Sequence, residues 1–334
     1  MLEPREVKTI ADARRIVEER GISHVKVGLF DNDGVMRGKY MSREKFFSSL
    51  DHGFAFCDVV LGWDVKDQLY DNAQYTGWHT GYPDAPVRIL PHSCRDIPFE
   101  EGMLLFLAEF DHQAEAVCPR GTLRRVIERC QAMGFEPFAA LEYEFFMFNE
   151  TPESARAKGY RDLVPFTPDW FGYSMIRNSV HAELYHEILA MGEKMDFPIE
   201  GLHTETGPGV LEAAIGVDGA EAAADKAALF KTFMKVLAQR RGLMATFMAK
   251  WSGKYPGQSG HIHVSLRDIK SDKSAFYDAN QKYCMSKVQR HFLAGQQRLM
   301  PEMLCMVAPT LNSYRRMIPG FWAPTDATWG VENR

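Results

Sequence analysis

An α+β fold is the class this 334-residue sequence predicts, on three observations. Strand-like and helix-like stretches are mixed along the chain without repeating strand–helix–strand units. No Gly-x-Gly-x-x-Gly or phosphate-loop pattern opens a helix. The third is the stretch 139–148, AALEYEFFMF, which reads as a strand with Glu142 and Glu144 on one face and Leu141, Tyr143, Phe145 and Met147 on the other. Two carboxylates on one side of an apolar strand are costly to bury unpaired. Something positive should sit against them.

Taken in order, the charged amino terminus leads into a helix whose stripe is Ile10, Ala13, Ile16 and Val17, with Gly21 as its stop. His24 to Phe30 alternates as a strand, Asp31-Asn-Asp-Gly34 reads as a turn, and Val35 to Tyr40 returns as its hairpin partner. Residues 41 to 103 offer short strands between many Gly, Pro and Asp breaks, and Met103 to Phe110 is a nearly continuous apolar strand. These segments predict a mostly β amino-terminal domain with one helix, over 1–112. A second domain, 113–334, opens with a helix over Arg120 to Met133 and leads into the strand of Glu142 and Glu144. Asn178 is placed to cap a helix running to about Met195, and Asp218 to cap an alanine-rich helix ending in Gln-Arg-Arg before Gly242. Residues 267 to 282 read as a loop, and a last helix, from about Met285, is expected to stop at Pro301.

Two later stretches repeat the polar-face pattern. In GLHTETGPGVLEAAI, His203 and Glu205 share a face if the first half is extended, and Glu212 follows a Gly-Pro-Gly interruption. In GHIHVSL, His261, His263 and Ser265 alternate with Ile262, Val264 and Leu266. If these strands are neighbours, one sheet face collects Glu142, Glu144, Glu205, Glu212, His261 and His263. That oxygen-rich set suits hard divalent cations, Mg²⁺ or Mn²⁺, better than a structural zinc. Any one of these glutamates alone would read as a solvated side chain; the joint pattern favours metal. His203 is read apart from the set, because Thr204 beside it breaks any histidine run.

Composition bounds the function. The chain is 46% hydrophobic and 25% charged, ordinary for a soluble globular protein, and its net charge of -5 argues against nucleic acid as a partner. Six dispersed cysteines without a Cys-x-x-Cys read as reduced thiols, and no stretch reaches the apolar length of a signal or membrane helix. A cytoplasmic protein is the expectation.

The tail, PTLNSYRRMIPG, carries Arg315 and Arg316, and the chain closes with Trp322, Trp329 and Arg334. Glu142-x-Glu144 before Phe-Phe, Glu205 with Glu212 after Gly-Pro-Gly, His261-x-His263-x-Ser265-Leu, and Asn312-Ser-Tyr-x-Arg316 before Pro319-Gly320 together resemble the glutamine synthetase family. The resemblance runs from about Val25 to Arg334. It implies an amino-terminal β-grasp domain, a catalytic domain with a curved antiparallel sheet, homo-oligomers of two rings such as a dodecamer, and the use of ATP with Mg²⁺ or Mn²⁺.

Carried over residue by residue, the resemblance gives Glu144, Glu205 and Glu212 the metal nearer glutamate, and Glu142 and His261 the metal nearer the ATP phosphates. Gly257 and Arg316 would meet the glutamate substrate, His263 and Ser265 would lie along the nucleotide, and Arg334 would face the transferring phosphate. Asp31, in Asp-x-x-Gly, would reach across a subunit boundary to deprotonate the incoming amine, beside any role in its turn.

The sequence departs from the family twice. Ammonia-using members carry Glu where this chain has Trp322, and an indole cannot act as that base, although its face attracts a cationic or apolar amine. A ligase joining the glutamate γ-carboxylate to an organic amine or polyamine is therefore expected, rather than one using ammonia. Family members also continue beyond Arg334 with further arginines and a glutamate metal ligand, so the sequence reads as carboxy-terminally truncated. A glutamine synthetase using ammonia, a non-catalytic paralogue that binds glutamate or nucleotide or regulates a ring, and a guanidino kinase are the alternatives.

Overall fold

The computed structural model of the protein describes residues 2–332, so Arg334 lies outside the described residues. The chain divides into two compact units, Met1–Arg129 with Leu189–Pro198 and Ala224–Thr232, and Cys130–Ile188 with Ile199–Ala223 and Phe233–Arg334.

In the first unit, helix α1 (Ile10–Glu19) starts where Thr9 and Asp12 satisfy each other's backbone N–H groups, and it buries Ala13, Ile16 and Val17. Strands β1 (His24–Phe30) and β2 (Met36–Ser42) form the expected hairpin, paired from His24 with Ser42 to Phe30 with Met36. Helix α2 (Arg43–His52) follows at once, capped by the Ser42 side chain. The sequence reading counted one helix here; the structure adds α2, which turns Phe46 and Leu50 inward. Strands β3 (Phe54–Cys57), β4 (Asp84–Ile89), β5 (Arg95–Asp96) and β6 (Leu104–Phe110) complete a sheet ordered β2-β1-β6-β4-β3, in which β1 and β6 run parallel and β5 pairs β6. Helix α2 packs on β1, β2 and β4, with the Phe46 and Phe106 rings 4.8 Å apart. Each fully buried phenyl contributes roughly 2–3 kcal/mol.

Every residue of β6 is buried, Glu109 included. Its carboxylate is held by Arg88 and by two arginines of helix α3 (Pro119–Ala132), Arg120 at 2.9 Å and Arg124 at 2.5 Å, while Arg120 also pairs with Asp225. Burial opposes the charge on Glu109, but the three guanidinium groups outweigh it and hold its pKa below the ordinary carboxylate value.

The second unit is organised on β7 (Phe135–Phe148). Helices α4 (Pro152–Ala157), α5 (Met175–Val180) and α6 (Ala182–Lys194, in the first unit from Leu189) lead to β8 (Ile199–Thr204) and β9 (Val210–Ile215), and the short β10 (Asp218–Gly219) precedes α7 (Ala220–Arg240), whose Ala224–Thr232 belong to the first unit. Strands β11 (Met244–Thr246) and β12 (Gly260–Asp268) and helices α8 (Lys287–Val307) and α9 (Leu311–Arg316) follow. All strand pairs in this sheet are antiparallel. Residues 142 and 143 of β7 pair with both β9 and β12, so these two strands lie on opposite edges of β7.

Three sequence expectations change. Ser174, not Asn178, caps the helix after the aromatic segment, and Asn178 sits inside α5. Asp218 belongs to β10, and α7 begins after Gly219 without a side-chain cap. Pro301 does not stop α8, which runs on to Val307 with the proline in its interior. The reverse face of β12 is also less covered than its alternation implies: Ile262 is 62% exposed.

Candidate metal centre and substrate face

Register builds the site. On β7, Glu142 faces His261 of β12 and Glu144 faces Glu212 of β9, which in turn faces His203 of β8. Directly paired residues of antiparallel strands project to the same side. His263 and Ser265, two and four residues beyond His261, therefore join that face, and Glu205 continues it two residues beyond His203. The opposite face carries Tyr143 and Phe145, and Phe145 stacks on Phe247 at 5.4 Å. At the carboxyl end of β7 the polar face closes on a small core, where Phe146 and Phe148 pack with Val210, Leu163 and Trp251.

Two donor clusters stand on the face. In the first, Glu142 receives His261 Nδ1 at 2.7 Å on Oε2 and His263 Nε2 at 3.2 Å on Oε1. Burial raises the Glu142 pKa, but the two imidazoles outweigh it and keep the carboxyl below its ordinary value. In the second, His203 lies 3.9 Å from both Glu205 Oε1 and Glu212 Oε1, through opposite ring nitrogens. Each cluster offers three donor atoms within 4.8 Å of one another.

Glu144 stands between them. Its Oε2 accepts from the backbone N–H of Ser259 at 2.5 Å. Burial and the neighbouring Glu205 push its pKa up, against the Ser259 N–H, Arg316 and His261. Burial raises Glu212 likewise, with Glu144, Glu142 and Glu205 adding to the shift and His203 opposing it. Burial and neighbouring carboxylates thus raise both Glu144 and Glu212, which leaves this part of the face short of positive charge. Oxygen donors with one or two imidazoles fit a divalent cation at either cluster, where Glu142 with His261 and His263, or Glu205 and Glu212 with His203, would hold it.

Arg316, at the end of α9, supplies the positive partner that Glu144 requires, although burial lowers its own pKa. Gly257 lies against its stem: a Cβ there would stand 2.3 Å from the Ala249 carbonyl oxygen and 2.8 Å from Arg316 Cγ. Helix α9 is tied down by Asn312, whose side chain accepts from Lys250 N–H at 2.8 Å and donates to Lys250 C=O at 2.7 Å. The buried Lys250 ammonium points over the Phe321 ring, 4.2 Å from its centroid.

Among the sequence-derived candidates, Glu142, Glu144, Glu205, Glu212, His261, His263 and Arg316 come together here, with Gly257 beside Arg316. Ser265 stands on the same face of β12, exposed and opposite Phe138. Trp322 is 76% exposed and meets Trp170 edge to face, 6.2 Å between centroids. Asp31 belongs to the other unit, fully buried: its Oδ1 accepts from the N–H groups of Asp33 and Val35 at 3.0 and 2.9 Å, and its Oδ2 from Arg37 Nε at 2.8 Å. The sequence reading left out His203, which the period-2 spacing to Glu205 had marked. Ser259 left no sequence signal, because its contribution is a backbone N–H.

A β-sheet with carboxylate–histidine clusters on one face and an arginine beside them defines the class: an α+β protein with a carboxylate-rich sheet face whose donor atoms fit divalent cations. Residues 116–334 match the family described as glutamine synthetase, catalytic domain, and the chain belongs to the glutamine synthetase family. It is 43% identical over 313 residues to "Type-1 glutamine synthetase 2" of Dictyostelium discoideum, a match covering 93% of this chain and 60% of that protein. It is 34% identical over 334 residues to "Glutamate--isopropylamine ligase" of Pseudomonas sp, covering 98% of this chain and 72% of the relative. The solved structure "GmaS/ADP complex-Conformation 1" shares the fold with a TM-score of 0.76 at 21% identity, over 90% of this chain and 66% of that one. The chain thus spans between three fifths and three quarters of these relatives' lengths. Among the described residues, no helix is long and apolar enough to cross a membrane.

Proposed function

We propose that this protein is an ATP-dependent ligase that joins the γ-carboxylate of glutamate to an organic amine through γ-glutamyl phosphate. The observation that supports the reading most is the sheet face where Glu142, Glu144, Glu205, Glu212, His203, His261 and His263 converge beside Arg316. A carboxylate is a poor acyl donor. Transfer of the γ-phosphoryl group of ATP to a glutamate γ-oxygen, releasing ADP, converts it to an acyl phosphate; the amine nitrogen then forms the amide bond as inorganic phosphate leaves. Mg²⁺ or Mn²⁺ bound at the two clusters would supply charge neutralisation for the phosphoryl oxygens.

The chain's own residues have separate tasks in this scheme. Arg316 clamps a glutamate carboxylate with paired N–H donors, and Gly257 leaves space for its stem. His263 and Ser265 flank the nucleotide. Asp31, brought by a neighbouring subunit of a ring assembly, takes a proton from the attacking ammonium, and Arg334 faces the phosphoryl group. Trp322 favours an organic amine, including a polyamine, over ammonia, because an indole attracts cationic and apolar groups but holds no acidic proton acceptor.

The second reading is an ammonia-using glutamine synthetase, favoured by the name of the 43%-identical relative. Glutamate-dependent phosphate release from ATP with Mn²⁺, measured across ammonia, alkylamines, arylamines and polyamines, decides between them. Release that requires an organic amine supports the first reading. Release driven by ammonia alone replaces it with the second, and no release with any amine rejects both.

A further inference from the structure

Outside the metal clusters, the second unit carries a run of exposed aromatic side chains that touches one of them through Tyr173 and His203. In the segment between α4 and α5, Trp170 is 45%, Phe171 46% and Tyr173 66% exposed. This segment is not a loose loop. Thr204, at the end of β8, donates through Oγ1 to the Phe171 carbonyl at 2.9 Å, and accepts the N–H groups of Tyr173 on its carbonyl at 2.7 Å and of Ser174 on Oγ1 at 2.9 Å. On the other side Arg177 donates to the Pro168 and Asp169 carbonyls and covers the Phe171 ring, 5.3 Å from its centroid. Tyr173 packs against His203 with tilted rings, 4.6 Å between centroids, and His203 belongs to the cluster with Glu205 and Glu212. The aromatic run therefore starts at the donor cluster.

Its far end is Trp170, which meets Trp322. Trp322 follows Arg316 by six residues in the sequence. Trp322 holds φ at +53° and Tyr173 +55°, left-handed conformations that bulky side chains rarely adopt. Strain of this kind persists where the surroundings fix it, and it collects at ligand sites. Here it aims two large indoles at each other while leaving much of both surfaces in water.

We infer that Trp170 and Trp322 together form the amine subsite, and that it takes a primary amine carrying an apolar or aromatic body. The inference rests on the ligase reading and names its second substrate. Two indole surfaces at an angle of 69° make a corner with apolar walls. The ammonium head is attracted to an indole face, and the alkyl or aryl body gains by leaving water against the walls. Ammonia has no body to bury there. Trp170 is then a specificity residue of its own, and Tyr173 a positioning residue that holds the wall to His203.

The test uses the full chain and its W170A, W322A and W170F forms. Isopropylamine, benzylamine, putrescine and ammonium chloride are titrated by isothermal calorimetry with Mn²⁺ present, while melting temperature and Mn²⁺ stoichiometry check that each variant is folded. Benzylamine and isopropylamine should bind more tightly than putrescine or ammonium. W170A and W322A should each weaken benzylamine by about tenfold, the scale of one lost aromatic–cation contact, and W170F should retain most of it. Equal affinities in W170A and the parent chain, or tighter binding of putrescine or ammonium, overturn the inference. Phosphate release measured on the same samples separates it from the ligase reading. If amines bind the indole pair but no amine supports glutamate-dependent release, the ligase reading falls and the subsite stands. If release proceeds and W170A leaves the amine preference unmoved, the subsite falls and the ligase reading stands.

Discussion

Gly257 and Arg316 are packed so closely that a single methyl group on Gly257 would stand 2.8 Å from Arg316 Cγ and 2.3 Å from the Ala249 carbonyl oxygen. The glycine is required by space, since the backbone atom it would strike belongs to the same loop and cannot swing away. Gly257→Ala must move either the loop or the arginine. Overpacking of this kind costs about 1–3 kcal/mol. Because Arg316 is the cation beside Glu144, the expected outcome is a lower melting temperature and a glutamate affinity weakened by about tenfold, as for loss of one charge-assisted contact. Calorimetric titration of glutamate into the variant checks it, with Arg316→Lys as the comparison that keeps charge but loses the paired donors.

The two donor clusters predict two separable cation sites. Mn²⁺ titration followed by electron paramagnetic resonance should give two bound ions per chain from the two clusters on this face. Glu212→Gln should remove the ion at His203 and Glu205 and spare the other, and His261→Ala the reverse. Bound cation should also raise stability, by about 2.7 kcal/mol at a free concentration of about one hundred times Kd. A single ion lost equally in both variants would mean one shared site.

How far this face could be read in advance follows from strand geometry. Alternation has a period of two, so the side on which Glu142, Glu144, His261 and His263 project is set by sequence position alone. Which strands are neighbours is not, since β9 and β12 come to opposite edges of β7 through long-range pairing. Thr204 was misleading for the same reason: it points away from His203 and Glu205 and does other work, fixing the Phe171–Ser174 segment. Helix α2 had a visible start in Ser42, but its ten residues carry few apolar positions and lie among turn formers. The bond between Asn312 and Lys250, 62 residues apart, and the meeting of Trp170 with Trp322 are tertiary contacts without a local pattern.

Buried Glu109 makes stability depend on acid pH. Its pKa is lowered in the folded protein, so relative to the ordinary unfolded carboxyl near 4.3 it binds its proton less readily when folded. The stabilisation is complete above that unfolded value and is lost as pH falls through the lowered folded one. Urea unfolding at a series of pH values should show it as a decline below about pH 4.5 that Glu109→Gln flattens. At pH 7 the same variant leaves Arg120 with a buried charge less well paired, and should cost about 3–5 kcal/mol.

Asp31 presents two roles that one pair of variants can separate. Both its oxygens are used within its own turn, by two backbone N–H groups and by Arg37, which also reaches Asp67 at 2.7 Å and lies over the Trp63 ring. Asp31→Asn keeps an oxygen for the N–H groups and loses the ionic partner of Arg37. Arg37→Met loses the same ion pair while keeping the carboxylate. If Asp31 serves the turn alone, the two variants should lose melting temperature and amine-dependent phosphate release in step. If it also takes the proton of the incoming amine, Asp31→Asn should fall by about 10²-fold or more in release at saturating glutamate, the scale of a lost general base, with Arg37→Met far less affected at a similar melting temperature. The second pattern is expected, because Arg37 also bonds Asp67, and turning fully to that partner frees one oxygen of Asp31 for a substrate.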